Sequence, residues 1–174
     1  MQNNLITPNL VDRLKGVVTF KAPVYKSIAE DTTATNNAAI IVIVTSVVAG
    51  IIGGAIISAM GAGNFIGFLI RSVVSGLIGW VAASWVTAFV AKTFFKGDTN
   101  TSEMMRVFGF SSIFGILAII PGIGGIIGAV LSAIGSVLGI REAASLDNTK
   151  AIITAVIAFV VIFVISAILN LIIR

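Results

Sequence analysis

The chain alternates between long uncharged apolar runs and short polar connections. Residues 37–60, NAAIIVIVTSVVAGIIGGAIISAM, carry no charge and are long enough to cross a bilayer. Thr35 or Asn36 is placed to cap this first helix. The second run, 65–91, is interrupted only by Arg71. Its clean part is Ser72–Ala91, and Phe65–Ile70 either extends it as a tilted helix or lies in the interface. A polar connection, KTFFKGDTNTSEMMR, occupies 92–106.

Val107–Ile140 then runs 34 residues without a charge. A single helix of that length would measure about 51 Å at 1.5 Å per residue, against a hydrocarbon core of about 30 Å. Tilt does not absorb that excess. Pro121-Gly122 supplies a break, because proline lacks the backbone donor and glycine relaxes the turn. The spacing therefore predicts two segments, 107–120 and 123–140, joined as a Pro-Gly helical hairpin between spans three and four. The first is short, about 21 Å. It is predicted to extend back through Met104 and Met105 with Arg106 snorkelling. A re-entrant pair satisfies the same lengths, and in both cases the two ends of the run share a side. The polar stretch REAASLDNTK, 141–150, leads to a last span at 151–173, followed by Arg174. The fold class predicted is an all-α integral membrane bundle of five transmembrane helices.

Before the first span, Leu10, Val11, Leu14, Val17 and Val18 fall on one helical face, and Asp12, Arg13, Lys15 and Thr19 fall opposite. This predicts an N-terminal amphipathic interfacial helix with a basic face. Pro23 starts a second turn carrying Tyr25 and Ile28. Arg13, Lys15, Lys21 and Lys26 are the candidate membrane-surface residues, toward anionic lipids. A docking surface for a partner and a solvated cover on the bundle are the other uses open to this segment. The organisation expected is an N-terminal cytoplasmic segment, 1–36, and a transmembrane domain, 37–174.

Composition fits this reading. The chain is 57% hydrophobic and 10% charged, with a mean hydropathy of +1.12. Soluble domains carry about 25% charged residues, and a soluble chain this apolar could not cover its surface. The first apolar run begins near Ala38, too late for the h-region of a signal peptide. With the N-terminus inside, nine of the eleven Lys and Arg residues lie inside. They are Arg13, Lys15, Lys21, Lys26, Lys92, Lys96, Arg106, Arg141 and Lys150, leaving Arg71 and Arg174 outside. That bias favours a cytoplasmic N-terminus and a C-terminus on the opposite side.

Candidate chemistry is sparse. There is no cysteine and no histidine, so no thiolate or imidazole is available as nucleophile, base or ligand. The seven acids, Asp12, Glu30, Asp31, Asp98, Glu103, Glu142 and Asp147, all fall outside the expected spans. Proton relays and cation transporters usually carry an intramembrane carboxylate. GIGGIIG at 122–128 loosely resembles a nucleotide-binding glycine pattern, but it follows no strand. No catalytic residue, metal site or cofactor is expected, and no nucleic acid or small-molecule substrate is indicated. Glu103 and Arg106, at i, i+3, form a surface ion pair by default.

Arg71 is the one charge near a span. It snorkels, or contacts an anion or a lipid headgroup. Small residues repeat at a spacing of four: Gly50 with Gly54, Gly63 with Gly67, Gly124 with Gly128, Ser132 with Ser136, Gly135 with Gly139, and Ser75 with Gly79. Such faces allow close helix approach, either within the bundle or against another membrane subunit. Trp80 and Trp85 lie inside the second span and are assigned to packing or lipid contact.

Three stretches together resemble the Yip1 domain family of small polytopic membrane proteins. They are PVYKSIAED at 23–31, GLIGWVAASWVTAFVAKTFFKGDTNTSEMMRVFGFSSI at 76–113, and PGIGGIIGAVLSAIGSVLGIREAASLDNTKAI at 121–152. The likeness extends from about Val11 to Arg174. Ile113 stands where many members carry a proline, and Ala133 and Ile134 where many carry a tryptophan or tyrosine. The resemblance implies five spans, a cytosolic N-terminus and an exposed C-terminus. Eukaryotic members have longer N-terminal regions implicated in binding prenylated small GTPases; here only residues 1–36 precede the first span. The function expected is a non-enzymatic membrane scaffold that organises the bilayer and membrane-protein partners. The alternative is an accessory subunit of a larger membrane complex, such as an energy-converting one, docked through its Gly/Ser faces. A transporter using the Pro-Gly break as a broken helix ranks below both.

Overall fold

The computed structural model describes residues 9–172, all of whose regular elements are helical. Two short helices come first, α1 (Leu10–Val18) and α2 (Ala22–Glu30). Asn9 caps α1 by accepting from Asp12 N at 2.9 Å. Phe20, at φ 54, turns the chain between them, and Pro23 stands in the first turn of α2, where its missing N–H leaves no bond unmade.

The long helices follow as α3 (Ala34–Ala59), α4 (Phe65–Phe95), α5 (Thr101–Ser111), α6 (Gly124–Ala143) and α7 (Asn148–Ile172). A 3₁₀ segment, Ser112–Ile119, continues α5. Five units are long and apolar enough to cross a membrane: α3, α4, α5 with its 3₁₀ continuation, α6 and α7. Arg174 lies outside the described residues.

Several boundaries differ from the sequence expectation. The first long helix starts at Ala34 behind Thr33, which makes no side-chain cap bond, so Thr35 and Asn36 sit inside the first turn and cap nothing. The second is one continuous helix through Arg71 and Lys92 to Phe95, about 46 Å long at 1.5 Å per residue. Asn64 Oδ1 caps its start by accepting from Gly67 N at 3.1 Å, and Lys96, at φ 55, ends it. The polar connection after it is therefore short, because Asn100 opens the next helix. Asn100 accepts from Glu103 N at 3.0 Å while Asn100 N donates back to Glu103 Oε2 at 3.2 Å, a reciprocal cap. The chain turns again at 120–123, with Gly122 at φ +82. Ile123 N donates to Pro121 O at 3.1 Å, and α6 then packs along the 3₁₀ segment.

The long helices pack in a circuit, α3, α4, α7, α6, α5 with its 3₁₀ continuation, and back to α3, with α4 also packed against α5 across it. The α1–α2 pair lies on the end of this ring where α5 and α6 meet. No seam in packing falls at residue 36: Val17, Tyr25 and Ile28 are fully buried in the same core as Val107, Phe110 and Ile140. Outward positions are apolar, with Ile40, Ile56, Ile66, Ile78, Ile126 and Phe163 all more than half exposed. In a soluble protein such a surface would aggregate; facing lipid it is the expected solvent contact. The protein is an integral membrane protein with five apolar crossing helices.

Candidate functional site

Two regions hold the polar chemistry: the end of the ring covered by α1 and α2, and a cavity at its centre. At the covered end, Arg13 is buried and its Nη2 pairs with Asp31. This corrects its assignment to an exposed basic face. A nine-residue helix in contact with both α2 and α5 turns Arg13, Gly16 and Val17 inward, and leaves Leu10, Val11 and Val18 exposed. The outward side of this segment is thus mixed, with Leu10, Val11 and Val18 exposed alongside Asp12, Lys15 and Thr19. The Arg13 guanidinium, helped by Thr33, holds the Asp31 carboxyl down at about 2. Lys15, Lys21 and Lys26 are exposed.

Arg106 is the second correction. It does not snorkel and makes no ion pair with Glu103, which is engaged with Asn100. It is 5% exposed, and its Nε donates to Ala29 O at 2.8 Å with Nη2 on the same carbonyl. Its Nη1 donates to Thr35 Oγ1 at 3.4 Å. Ala29 lies in the last turn of α2, where carbonyls have no helical partner and a cation is favoured. Arg106 therefore joins α5 to the C-terminal end of α2 and to the start of α3.

Tyr25 completes this end. Its hydroxyl donates to Val17 O at 3.1 Å, and burial pushes it up to about 12. The Tyr25 and Ser111 hydroxyls both face the Cα of Gly135. Ser111 Oγ lies close enough to temper that rise but completes no well-formed hydrogen bond. On the rim, a cleft of about 350 Å³ brings Glu30, Asp98, Glu103 and Glu142 around Lys26. Among the described residues no group of acids is arranged to hold a metal ion.

Some of the small residues are spent within the chain, while Gly63, Gly67, Ser75 and Gly79 are exposed. Gly50 faces Leu69 and Ser72, and Gly54 faces Phe65, at the α3–α4 contact. Gly124 and Gly128 face the backbone carbonyls of Leu117 and Phe114, so α6 lies directly against the 3₁₀ segment. Gly135 and Gly139 admit Tyr25 and Val107. Pro121 and Gly122 are exposed at the turn, and Arg71 is exposed on α4 without an ion-pair partner among the described residues.

Ser132 and Ser136 line the central cavity, which has a volume of about 820 Å³ and walls from all five crossing units. Sequence reasoning did not find it, since no single helix carries its signature. Its wall is mostly apolar, and several of its hydroxyls turn back to backbone carbonyls. Thr45 donates to Ile41 O at 2.9 Å, Ser72 to Ser46 O at 2.9 Å and Ser112 to Gly109 O at 2.6 Å. Trp80, also on the wall, donates from Nε1 to Met105 O at 2.8 Å. Ile152, Val156 and Phe159 on this wall are more than half exposed, so the space is open toward the bilayer.

No curated protein and no solved structure matches the chain. The family model of the Yip1 domain matches residues 15–169, from within α1 to near the end of α7. That span takes in the covering helices and all five crossing units, and the chain belongs to the Yip1 domain family.

Proposed function

We propose that this protein is a non-enzymatic membrane scaffold that organises the bilayer and neighbouring membrane proteins from its N-terminal side. The observation that carries this reading is the outer face of α1. Leu10, Val11 and Val18 are 36%, 56% and 44% exposed, and Lys15 and Lys21 stand exposed beside them. Apolar groups flanked by lysines at the end of a transmembrane bundle suit an anionic leaflet, where each basic residue contributes about 1 kcal/mol. Arg13 anchors the helix instead of contacting lipid, so the membrane-surface role rests on Lys15, Lys21 and Lys26. The excess of Lys and Arg on this side supports a cytoplasmic N-terminus. The Gly50/Gly54, Gly124/Gly128 and Gly135/Gly139 faces support the bundle's own packing.

The test is native electrophoresis in mild detergent at endogenous level, with mass spectrometry of the band. A band near the mass of one or two copies supports a free scaffold. A discrete large assembly of fixed composition overturns it and makes the chain an accessory subunit.

A further inference from the structure

We propose that the central cavity is a lipid site, holding the hydrocarbon tails of one diacyl phospholipid whose anionic headgroup lies at Arg71. This stands apart from the role of α1 and needs only that the five helices cross a bilayer.

Size comes first. A cavity of about 150 Å³ holds benzene, so one of about 820 Å³ holds about thirty carbons, the content of two fatty acyl tails. Shape agrees. The wall contributed by α4 runs from Ser72 to Thr87, about 22 Å along the helix, close to an extended acyl chain. Chemistry agrees as well: the wall is mostly apolar, and Thr45, Ser72 and Ser112 commit their donors to backbone carbonyls.

Access is sideways. Ile152, Val156 and Phe159 of α7 line the cavity and are 51%, 56% and 70% exposed, so it opens laterally to the bilayer rather than into a sealed core. Charge selects the headgroup. Arg71 directly precedes Ser72, at the end of the α4 wall away from α1 and α2. It is exposed and has no carboxylate partner among the described residues.

Trp80 lines the cavity and Trp85, the other tryptophan, does not. The Trp85→Phe variant is therefore a single-tryptophan reporter of the site, and Trp80→Phe a reporter of the outer surface. Each is reconstituted in phosphatidylcholine vesicles containing a minor share of phosphatidylglycerol, with bromine on the tails of one lipid or the other. Trp80 is expected to be quenched by brominated phosphatidylglycerol at about one fifth of the lipid fraction needed for brominated phosphatidylcholine, the factor one basic side chain contributes at an anionic headgroup. Trp85 is expected to show no such preference.

Gly79 lines the cavity, and a Cβ added there would meet nothing within 4 Å, so Gly79→Phe starts a bulky side chain in open space on this wall. It is expected to remove the Trp80 quenching, leave Trp85 quenching unchanged and elute as a single species. Arg71→Gln is expected to keep the quenching and lose the headgroup preference. Unquenched Trp80 in the Trp85→Phe reporter overturns the lipid site, as does Trp80 quenching that survives Gly79→Phe in that reporter. Quenching that disappears as protein density rises overturns it in favour of a helix from a second copy. A preference that survives Arg71→Gln overturns the headgroup assignment.

Discussion

Gly128 gives the sharpest test of how the chain doubles back at Pro121-Gly122. A Cβ at Gly128 would stand 2.5 Å from Phe114 O, 3.4 Å from Phe114 C and 3.6 Å from Leu117 Cβ. The first atom belongs to the backbone, so no rotamer change relieves it. In Gly128→Ala the 3₁₀ segment must retreat until that 2.5 Å contact reaches at least 3.4 Å. A gap of 0.5–1 Å forfeits about a quarter to a half of each dispersion contact along the seam. Overpacking of this kind costs about 1–3 kcal/mol. Alanine recovers roughly 0.5 kcal/mol through helix propensity, which leaves a net loss of about 1.5 kcal/mol. Gly125, three residues earlier on α6, is exposed and meets nothing within 4 Å, so Gly125→Ala is neutral or slightly stabilising. The assay is reversible unfolding in mixed micelles of mild detergent and SDS, followed by far-UV circular dichroism. Equal stabilities for the two variants would refute the reasoning, because α6 would then not lie against the 3₁₀ segment and the run 107–140 would not fold back on itself.

Asp31→Asn leaves Arg13 buried without its counter-charge and is expected to cost about 2 kcal/mol, between an exposed and a fully buried pair. The Asp31 carboxyl is lowered to about 2, so its contribution is complete above about pH 4 and disappears as pH falls through about 2. Thermal melts of parent and variant should differ at pH 6 and converge near pH 2; a gap that persists there contradicts the pairing. Tyr25→Phe loses the hydrogen bond to Val17 O and should cost about 1 kcal/mol by the same micelle titration, with no change expected in oligomeric state. The chain has no native cysteine, so single cysteines report sidedness directly. Lys92→Cys and Thr149→Cys should react from the cytoplasmic side with a membrane-impermeant maleimide. Ala62→Cys and Ile123→Cys should react only from the opposite side, and a mixed pattern within either pair contradicts five crossings.

The crossing helices are legible in the sequence because length and charge exclusion act on each segment separately. Ala34–Ala59 and Asn148–Ile172 declare themselves by composition alone. The break at Pro121-Gly122 follows from the excess length of 107–140. Helix ends are less legible. Asn100-x-x-Glu103 is a capping signature in plain sight, but the i, i+3 spacing directs Glu103 to Arg106 instead. Arg13 and Arg106 escape because their partners, Asp31 and the Ala29 carbonyl, are 18 and 77 residues away. The sequence pattern lays α1 in the interface with Arg13 on its basic face, whereas in the fold Arg13 turns inward beside Val17. Where lipid is the solvent, Leu10 and Val11 lose nothing by facing out, while Arg13 gains an ion pair by facing in. The cavity is out of reach of sequence, since its wall is shared among five crossing units and exists only once they assemble.

The hold of Arg106 on Ala29 also sets a timetable for biosynthesis. Helices α1 and α2 leave the ribosome well ahead of their partners Val107, Phe110 and Ile140. At about 5–20 residues per second, the interval between residues 30 and 140 is roughly 5–20 seconds. Until α5 emerges Tyr25 and Ile28 have no bundle to pack against, and until α6 emerges they have only part of it, so the nascent N-terminal helices depend on the bilayer surface or on insertion factors for cover. A stop codon before α5 would leave that surface bare and one between α5 and α6 would leave it half covered, which makes early truncation products of this chain natural substrates for membrane quality control.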